Sequence, residues 1–161
     1  MNKLPEPLND MLQRSSEEQK EIHAFLKRSK KNRNLDELFH KAHDEVFQKV
    51  DCLTCGNCCK TTSPIFRDAD IRRIAKHLKI KGSELIEKYL YMDDDRDYVL
   101  KKAPCVFLLP DNRCEIYEHR PLACREYPHT NRKNMYQLIN ITERNTRICP
   151  AVAEIVLKIK G

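Results

Sequence analysis

The chain has 161 residues, 40% of them apolar and 34% charged, with a formal net charge of +6 and no Trp. That length is enough for one domain, and the composition is that of a small globular unit with a modest core and a heavily charged surface. No stretch approaches the ~18 consecutive apolar residues of a membrane-spanning helix, which excludes that class, and the start, Met1-Asn2-Lys3-Leu4-Pro5-Glu6-Pro7, lacks the apolar core of a secretory signal, which points to the cytoplasm.

Residues 1–14, with two prolines, read as a lead-in. Ser15-x-x-Glu18 fits a capping box, and Ile22, Phe25 and Leu26 follow at helical spacing. The run Lys27-Arg28-Ser29-Lys30-Lys31-Asn32-Arg33 reads as a solvated helix end, its cations complementing the helix dipole. A second helix is expected after Asn34, where Leu35, Leu38, Phe39, Ala42, Val46, Phe47 and Val50 form one apolar stripe at 3.6 residues per turn. These two helices are expected to form a hairpin over residues 1–50 that packs on the remainder of the chain. Asp68 is placed to cap a third helix presenting Ile71, Ile74, Ala75 and Leu78; Gly82 breaks the chain and Ser83 caps a short fourth helix through Leu90. Met92 to Asp97 reads as an acidic loop. Tyr98-Val99-Leu100, Cys105 to Leu109 and Cys114 to Tyr117 read as strands, the last two joined by the turn Pro110-Asp111-Asn112-Arg113. Pro121 suits the first turn of a short helix containing Cys124, residues 135–141 are an apolar run of ambiguous type, and a last helix opens at Pro150 and buries Val152, Ile155, Val156 and Ile159.

Eight cysteines dominate the chemistry. In a reducing compartment, clustered thiols more often bind metal than form disulfides. Four of them form Cys52-Leu53-Thr54-Cys55-Gly56-Asn57-Cys58-Cys59, a C-x2-C-x2-C-C run. A C-x2-C loop lets two sulfurs converge on one tetrahedral centre, and Gly56 allows the turn to approach it closely. A third cysteine at the same interval continues the wrap, as in ferredoxin-type runs. Cys105, Cys114, Cys124 and Cys149 bring the total to the eight thiols needed by two four-thiolate sites. Adjacent side chains in an extended segment point apart, so Cys58 and Cys59 are expected to serve different centres. Cys52, Cys55 and Cys58 would hold one, with Cys149 as fourth ligand because Cys149-Pro150 is like the cysteine-proline that follows many cluster-binding runs; Cys59, Cys105, Cys114 and Cys124 would form or border the other. Eight thiolates around two divalent ions would remove four of the net positive charges, so the basic balance offsets an anionic metal–thiolate core as readily as it attracts nucleic acid.

The cluster, followed by Cys105-x8-Cys114-Glu-Ile-Tyr-Glu-His-Arg-Pro-Leu-Ala-Cys124-Arg-Glu-Tyr-Pro128, resembles the YkgJ-like cysteine-cluster family, over about residues 51 to 150. Members of that family are described as zinc- or iron-chelating proteins and in some cases as iron–sulfur oxidoreductases, so the resemblance implies metal binding. A related cluster occurs in the longer flagellin lysine methylases, but this chain has no Gly-rich nucleotide-binding turn and that activity is not carried over. Zinc favours closed four-cysteine sites that stabilise folding; iron as a 4Fe–4S cluster also takes four thiolates, and the repeated C-x2-C spacing suits it somewhat better.

Arg120 and Arg125 flank Cys124 and are candidates to donate to the thiolates and offset their charge, against the plainer reading of ion pairs with Glu115, Glu118 or Glu126. His119 and His129 could replace a thiolate. Glu37-x-x-His40 has di-iron spacing without the second copy such sites need, and Asp93, Asp94, Asp95 and Asp97 lack the spacing and glycine of a calcium loop. The basic run Lys27 to Arg33 has no interleaved aromatics or reading helix, which argues against nucleic acid. The expectation is a mainly α fold with a small β-hairpin (α+β), a metal-stabilised cysteine-rich module over 51–161 preceded by the helical hairpin. Its function is to hold one or two zinc or iron centres. The alternatives are an iron–sulfur oxidoreductase or electron carrier with a redox partner, and a structural zinc module presenting a surface to another protein.

Overall fold

The computed structural model of the protein describes residues 4–161, and the apolar stripes of the sequence become its longer helices. In chain order the helices are α1 (Glu6–Glu17), α2 (Gln19–Ser29), α3 (Leu35–Phe47), α4 (Cys52–Cys55), α5 (Asn57–Thr61), α6 (Asp68–Leu78), α7 (Gly82–Tyr89), α8 (Leu122–Glu126), α9 (Ile139–Asn145) and α10 (Pro150–Lys160). Strands β1 (Leu90–Met92) and β2 (Tyr98–Leu100) lie between α7 and α8, and single 3-10 turns cover Tyr117–His119 and Met135–Gln137. The fold is mainly α with a small antiparallel hairpin. Among the described residues no helix is long and apolar enough to cross a membrane.

The chain divides into two compact units: one runs to Cys55 and resumes over Pro128–Gly161, the other is the continuous stretch Gly56–Tyr127. In the first, α10 packs on α3 and on α1. The stripe of α3 buries Leu35, Phe39, Ala42 and Val46, and α10 contributes Ala151, Val152, Ile155 and Val156 to the same core. Burying each Val or Ile of this size stabilises by about 1.5–3 kcal/mol. Where helix α1 stands the sequence reads as a lead-in, a reading that the described part of residues 1–14 corrects. Pro7 falls in the first turn, where its missing N–H costs nothing, and Leu8 is buried with Leu4 and Met11 packed alongside. Ser15 is therefore not a helix cap; it is buried in α1 and its hydroxyl donates to the Thr146 carbonyl at 3.0 Å. The ambiguous run at 135–141 is the 3-10 turn and the start of α9, with Met135 and Ile139 in the core.

In the second unit the core is Phe66, Ile71, Ile74, Ala75, Leu85, Leu90, Leu100, Phe107 and Ile116. β1 pairs with β2 in the register Leu90↔Leu100, Tyr91↔Val99, Met92↔Tyr98. Residues 90–92 thus leave the helix expected to run through Leu90, and the acidic stretch is the hairpin turn: Asp93 Oδ1 accepts the N–H groups of Asp95 and Asp97 at 3.0 and 2.9 Å. The hairpin expected at 105–117 is reduced to the bridge Leu108↔Cys114, flanked by Leu109 N–H to Arg113 O and Glu115 N–H to Phe107 O, both 2.8 Å. It is too short for strands but still draws Cys105 towards Cys114.

Gly56 opens the second unit in a left-handed conformation, φ +57°, and an added Cβ would stand 3.0 Å from the Asn112 side chain. Gly56→Ala is expected to lower stability by about 1–2 kcal/mol, the cost of a left-handed L-residue, read from the urea midpoint. Gly82→Ala is the control: its Cβ would meet Ile71 at 3.6 Å, an ordinary contact at the start of α7, and the midpoint should not fall.

Candidate metal centre

The eight cysteines, all among the described residues, form no disulfide, and they divide between the two units. In the second unit, Cys59 lies in the short helix α5, Cys105 just before the Leu108–Cys114 bridge, Cys114 at its end, and Cys124 in α8. The Cys105 N–H donates to the Cys59 carbonyl at 2.8 Å, fastening the bridge region to the cysteine run. Burial pushes the Cys124 thiol up to about 12, and the charges of Cys59, Cys105 and Cys114 add to the rise while Arg120 opposes it. Cys105 is pushed up to about 11, again by burial first and then by Cys59 and Cys114, against the Phe107 and Leu108 N–H groups directed at its sulfur. Burial and Cys59 also raise Cys114, opposed by the Ile116 N–H and Arg120. Cys59 goes the other way, down to about 7, because the Cys58 thiol hydrogen-bonds to it, with Lys60 and Arg120 assisting against burial. Cys105, Cys114 and Cys124 thus all sense the charge of Cys59 from partly buried positions.

Arg120 is a cation shared by Cys59, Cys114 and Cys124. Its guanidinium stacks 3.7 Å from the centroid of the Tyr117 ring, and its Nε is buried with no hydrogen-bond partner. A buried donor without an acceptor costs about 1–3 kcal/mol. Arg125, the other candidate, is exposed and donates to the Glu118 carbonyl at 3.1 Å.

What holds Arg120 there is a residue that sequence reasoning passed over. Asp70, 2% exposed on the first turn of α6, accepts from the Arg67 N–H at 2.9 Å, the Arg73 guanidinium at 2.7 Å and the Leu122 N–H at 3.2 Å. Arg73 in turn donates to the carbonyls of Arg120 at 2.7 Å and His119 at 3.4 Å. Burial raises the Asp70 carboxyl, but these donors outweigh it and hold the group below its ordinary value. A carboxylate three residues into a helix with an arginine three further on is the signal that could have found it.

In the first unit, Cys52 and Cys55 bound the single turn α4, and Cys149 precedes Pro150 at the start of α10. Asp51 organises the turn by accepting the Leu53 N–H at 2.9 Å and the Thr54 hydroxyl at 3.2 Å. Burial pushes Cys149 up to about 12, with Cys52 and Cys55 adding to the rise; the Val152 and Ala151 N–H groups at the start of α10 pull the other way without closing a capping bond. Cys58 lies beside Cys59 in the second unit. Of the two histidines weighed as thiolate substitutes, His119 stacks on His77 with centroids 4.2 Å apart and His129 takes a left-handed backbone; His40, of the Glu37-x-x-His40 pair, bonds the Arg132 carbonyl at 2.8 Å.

Among the described residues, no group of three or more His, Cys, Asp or Glu side chains stands in an arrangement that could itself hold a metal ion. The donor chemistry nonetheless suits a soft or borderline cation. Thiolate is the ligating form, and half-buried thiols whose neighbouring thiolates oppose their ionisation are groups whose ionisation a bound cation favours.

A cysteine-rich chelating domain is the class this arrangement defines. Over residues 51–150 the chain matches the family described as "CxxCxxCC: Putative zinc- or iron-chelating domain". It belongs to that family, the one to which the YkgJ-like pattern of the sequence pointed, and membership supports zinc or iron binding. The chain is also similar to "Uncharacterized protein MJ0661" of Methanocaldococcus jannaschii, with 34% identity over 82 residues, covering 49% of this chain and 44% of that protein. The chain therefore spans less than half the length of that curated relative. No solved structure matches.

Proposed function

We propose that the protein holds a zinc or iron centre in the Gly56–Tyr127 unit through Cys59, Cys105, Cys114 and Cys124, with Arg120 donating to the thiolates. The observation that supports this reading is that Cys59 acts on Cys105, Cys114 and Cys124, while Arg120, whose Nε is buried without a hydrogen-bond partner, acts on Cys59, Cys114 and Cys124. Anionic sulfur supplies the acceptor that Arg120 Nε lacks, and Tyr117 keeps the guanidinium in place from the other side. Backbone N–H groups of Phe107, Leu108 and Ile116 offset the remaining thiolate charge. A second set, Cys52, Cys55 and Cys149, contributes the thiolates of the other centre within the first unit. Zinc at these positions supplies a crosslink, and a 4Fe–4S cluster supplies one-electron chemistry.

The test is elemental analysis with acid-labile sulfide and a visible spectrum on anaerobically purified protein, repeated on single Cys→Ser variants. Zinc without sulfide supports a structural module. Iron with matching sulfide supports an electron carrier and directs attention to a redox partner. Absence of both metals, or loss of all metal from every variant alike, would remove support for two thiolate sets. Arg120→Gln is expected to weaken metal retention about ten- to a hundredfold, the usual cost of losing a partner just outside the ligands, measured by competition with a chromogenic chelator. Arg120→Lys should recover part of the loss because the charge is kept.

A further inference from the structure

The connector between α2 and α3 borders an open cavity of about 370 Å³ whose lining includes Lys30, Lys31, Arg33, Asp36, Asn134 and Tyr136. No cysteine lines it, and its volume lies within the range of small-ligand sites. Read along the chain, the basic run has no aromatic neighbours; the fold supplies one. Asp36 accepts the Asn134 and Met135 N–H groups at 2.8 and 2.7 Å, which fastens the 134–137 segment to α3. Met135 is anchored in the core at 0% exposure while Tyr136 is left 48% exposed beside the basic turn. The side chains of Lys30, Lys31 and Arg33 have no ion-pair or hydrogen-bond partner among the described residues. Asp36 is the one carboxylate of the lining, and its oxygens are already engaged by the two backbone donors.

Unpaired cations that attract a phosphate and an exposed flat ring beside them are the two elements from which nucleotide recognition is built. We infer that this cavity binds a nucleotide, its base stacked on Tyr136 and its phosphate held by Lys30, Lys31 and Arg33. The nucleotide is either free or part of a single strand, and the site works whether or not the thiols carry metal.

The whole protein is titrated into a fluorescein-labelled ten-nucleotide adenylate strand, with AMP and inorganic phosphate as competitors, and metal content is measured on every variant. AMP should compete better than phosphate. Tyr136→Ala should weaken strand and AMP binding about tenfold, as loss of one stacking partner does, and should erase the advantage of AMP over phosphate, whereas Tyr136→Phe keeps both. For a strand held by three cations, log affinity against log salt should fall with a slope of about −2, and Lys31→Gln or Arg33→Gln should each reduce that slope by about 0.7. A strand that binds much more tightly than AMP identifies single-stranded nucleic acid as the source; equal affinities identify the free nucleotide. Phosphate competing as well as AMP, Tyr136→Ala without effect, or no saturable binding of any probe would overturn the inference. Metal content unchanged across these variants separates its failure from failure of the thiolate reading.

Discussion

Asp70→Ala should lower the stability of the Gly56–Tyr127 unit by about 3–5 kcal/mol, the cost of removing one partner from a buried ion pair. Three donors lose their acceptor at once: the Arg67 and Leu122 N–H groups and the Arg73 guanidinium. Arg73 would be left partly buried and uncompensated while still bonded to the Arg120 and His119 carbonyls. The loss is therefore felt where Arg120 is positioned as well as at the start of α6. Urea unfolding followed by amide exchange within the unit would measure it, and a change below about 1 kcal/mol would mean the pair behaves as a surface contact. Asp70→Asn retains acceptor capacity through its carbonyl oxygen and should cost less. The pH dependence has a definite sign. Because the folded carboxyl sits below its ordinary value, its contribution is fully present above about pH 4, the usual aspartate range, and is lost as pH falls through the lower folded value. In the Asn variant that segment of the acid-unfolding curve should flatten.

Stripping metal from the protein should have a larger effect than any single substitution. Apparent binding energies of structural thiolate-zinc sites are about 10–16 kcal/mol near neutral pH, more than the whole stability of most small domains. The cores of the two units differ in how far they can stand alone. Among the described residues, the apolar cluster of the first unit draws on α1, α2, α3, α9 and α10, whereas that of the second is smaller and has the half-buried Cys105 and Cys114 packed against it. Chelation under reducing conditions should thus remove protection from the amides of Cys105, Leu108 and Glu115 while helices α3 and α10 remain protected. Circular dichroism and hydrogen exchange before and after treatment would record it. Uniform retention of structure would show that the thiols contribute nothing to folding.

The helices most legible in the sequence are those whose burial lies along one face. α3 and α10 are found where their stripes fall, because a single apolar face on a helix has one place to go. α1 was obscured by Pro5 and Pro7, although Leu4, Leu8 and Met11 already carried the i, i+4, i+7 spacing. β1 was hidden because Leu90-Tyr91-Met92 continues the apolar content of α7, and only the turn at Asp93 forces it back against β2. The cysteine run and the distal block were legible as chemistry from spacing alone. The Asp70–Arg73 clamp was not, since its partners at Arg120 and Leu122 lie 47 and 52 positions away and no local pattern links them. Tyr136 was missed for the same reason: its neighbours in space are 30–36, which the sequence places a hundred residues earlier.

The first unit is discontinuous, and that has a kinetic consequence. Gln19 and Ser15 meet Thr146, and α10 packs on α1 and α3, across separations of well over a hundred residues. Residues 56–127 leave the ribosome before residues 150–160 do, so the continuous unit can begin to collapse first. The apolar faces of α1, α2 and α3 must meanwhile wait for α10. Contacts of such long sequence separation form slowly, and waiting apolar surface is where nascent chains are captured by chaperones or by one another.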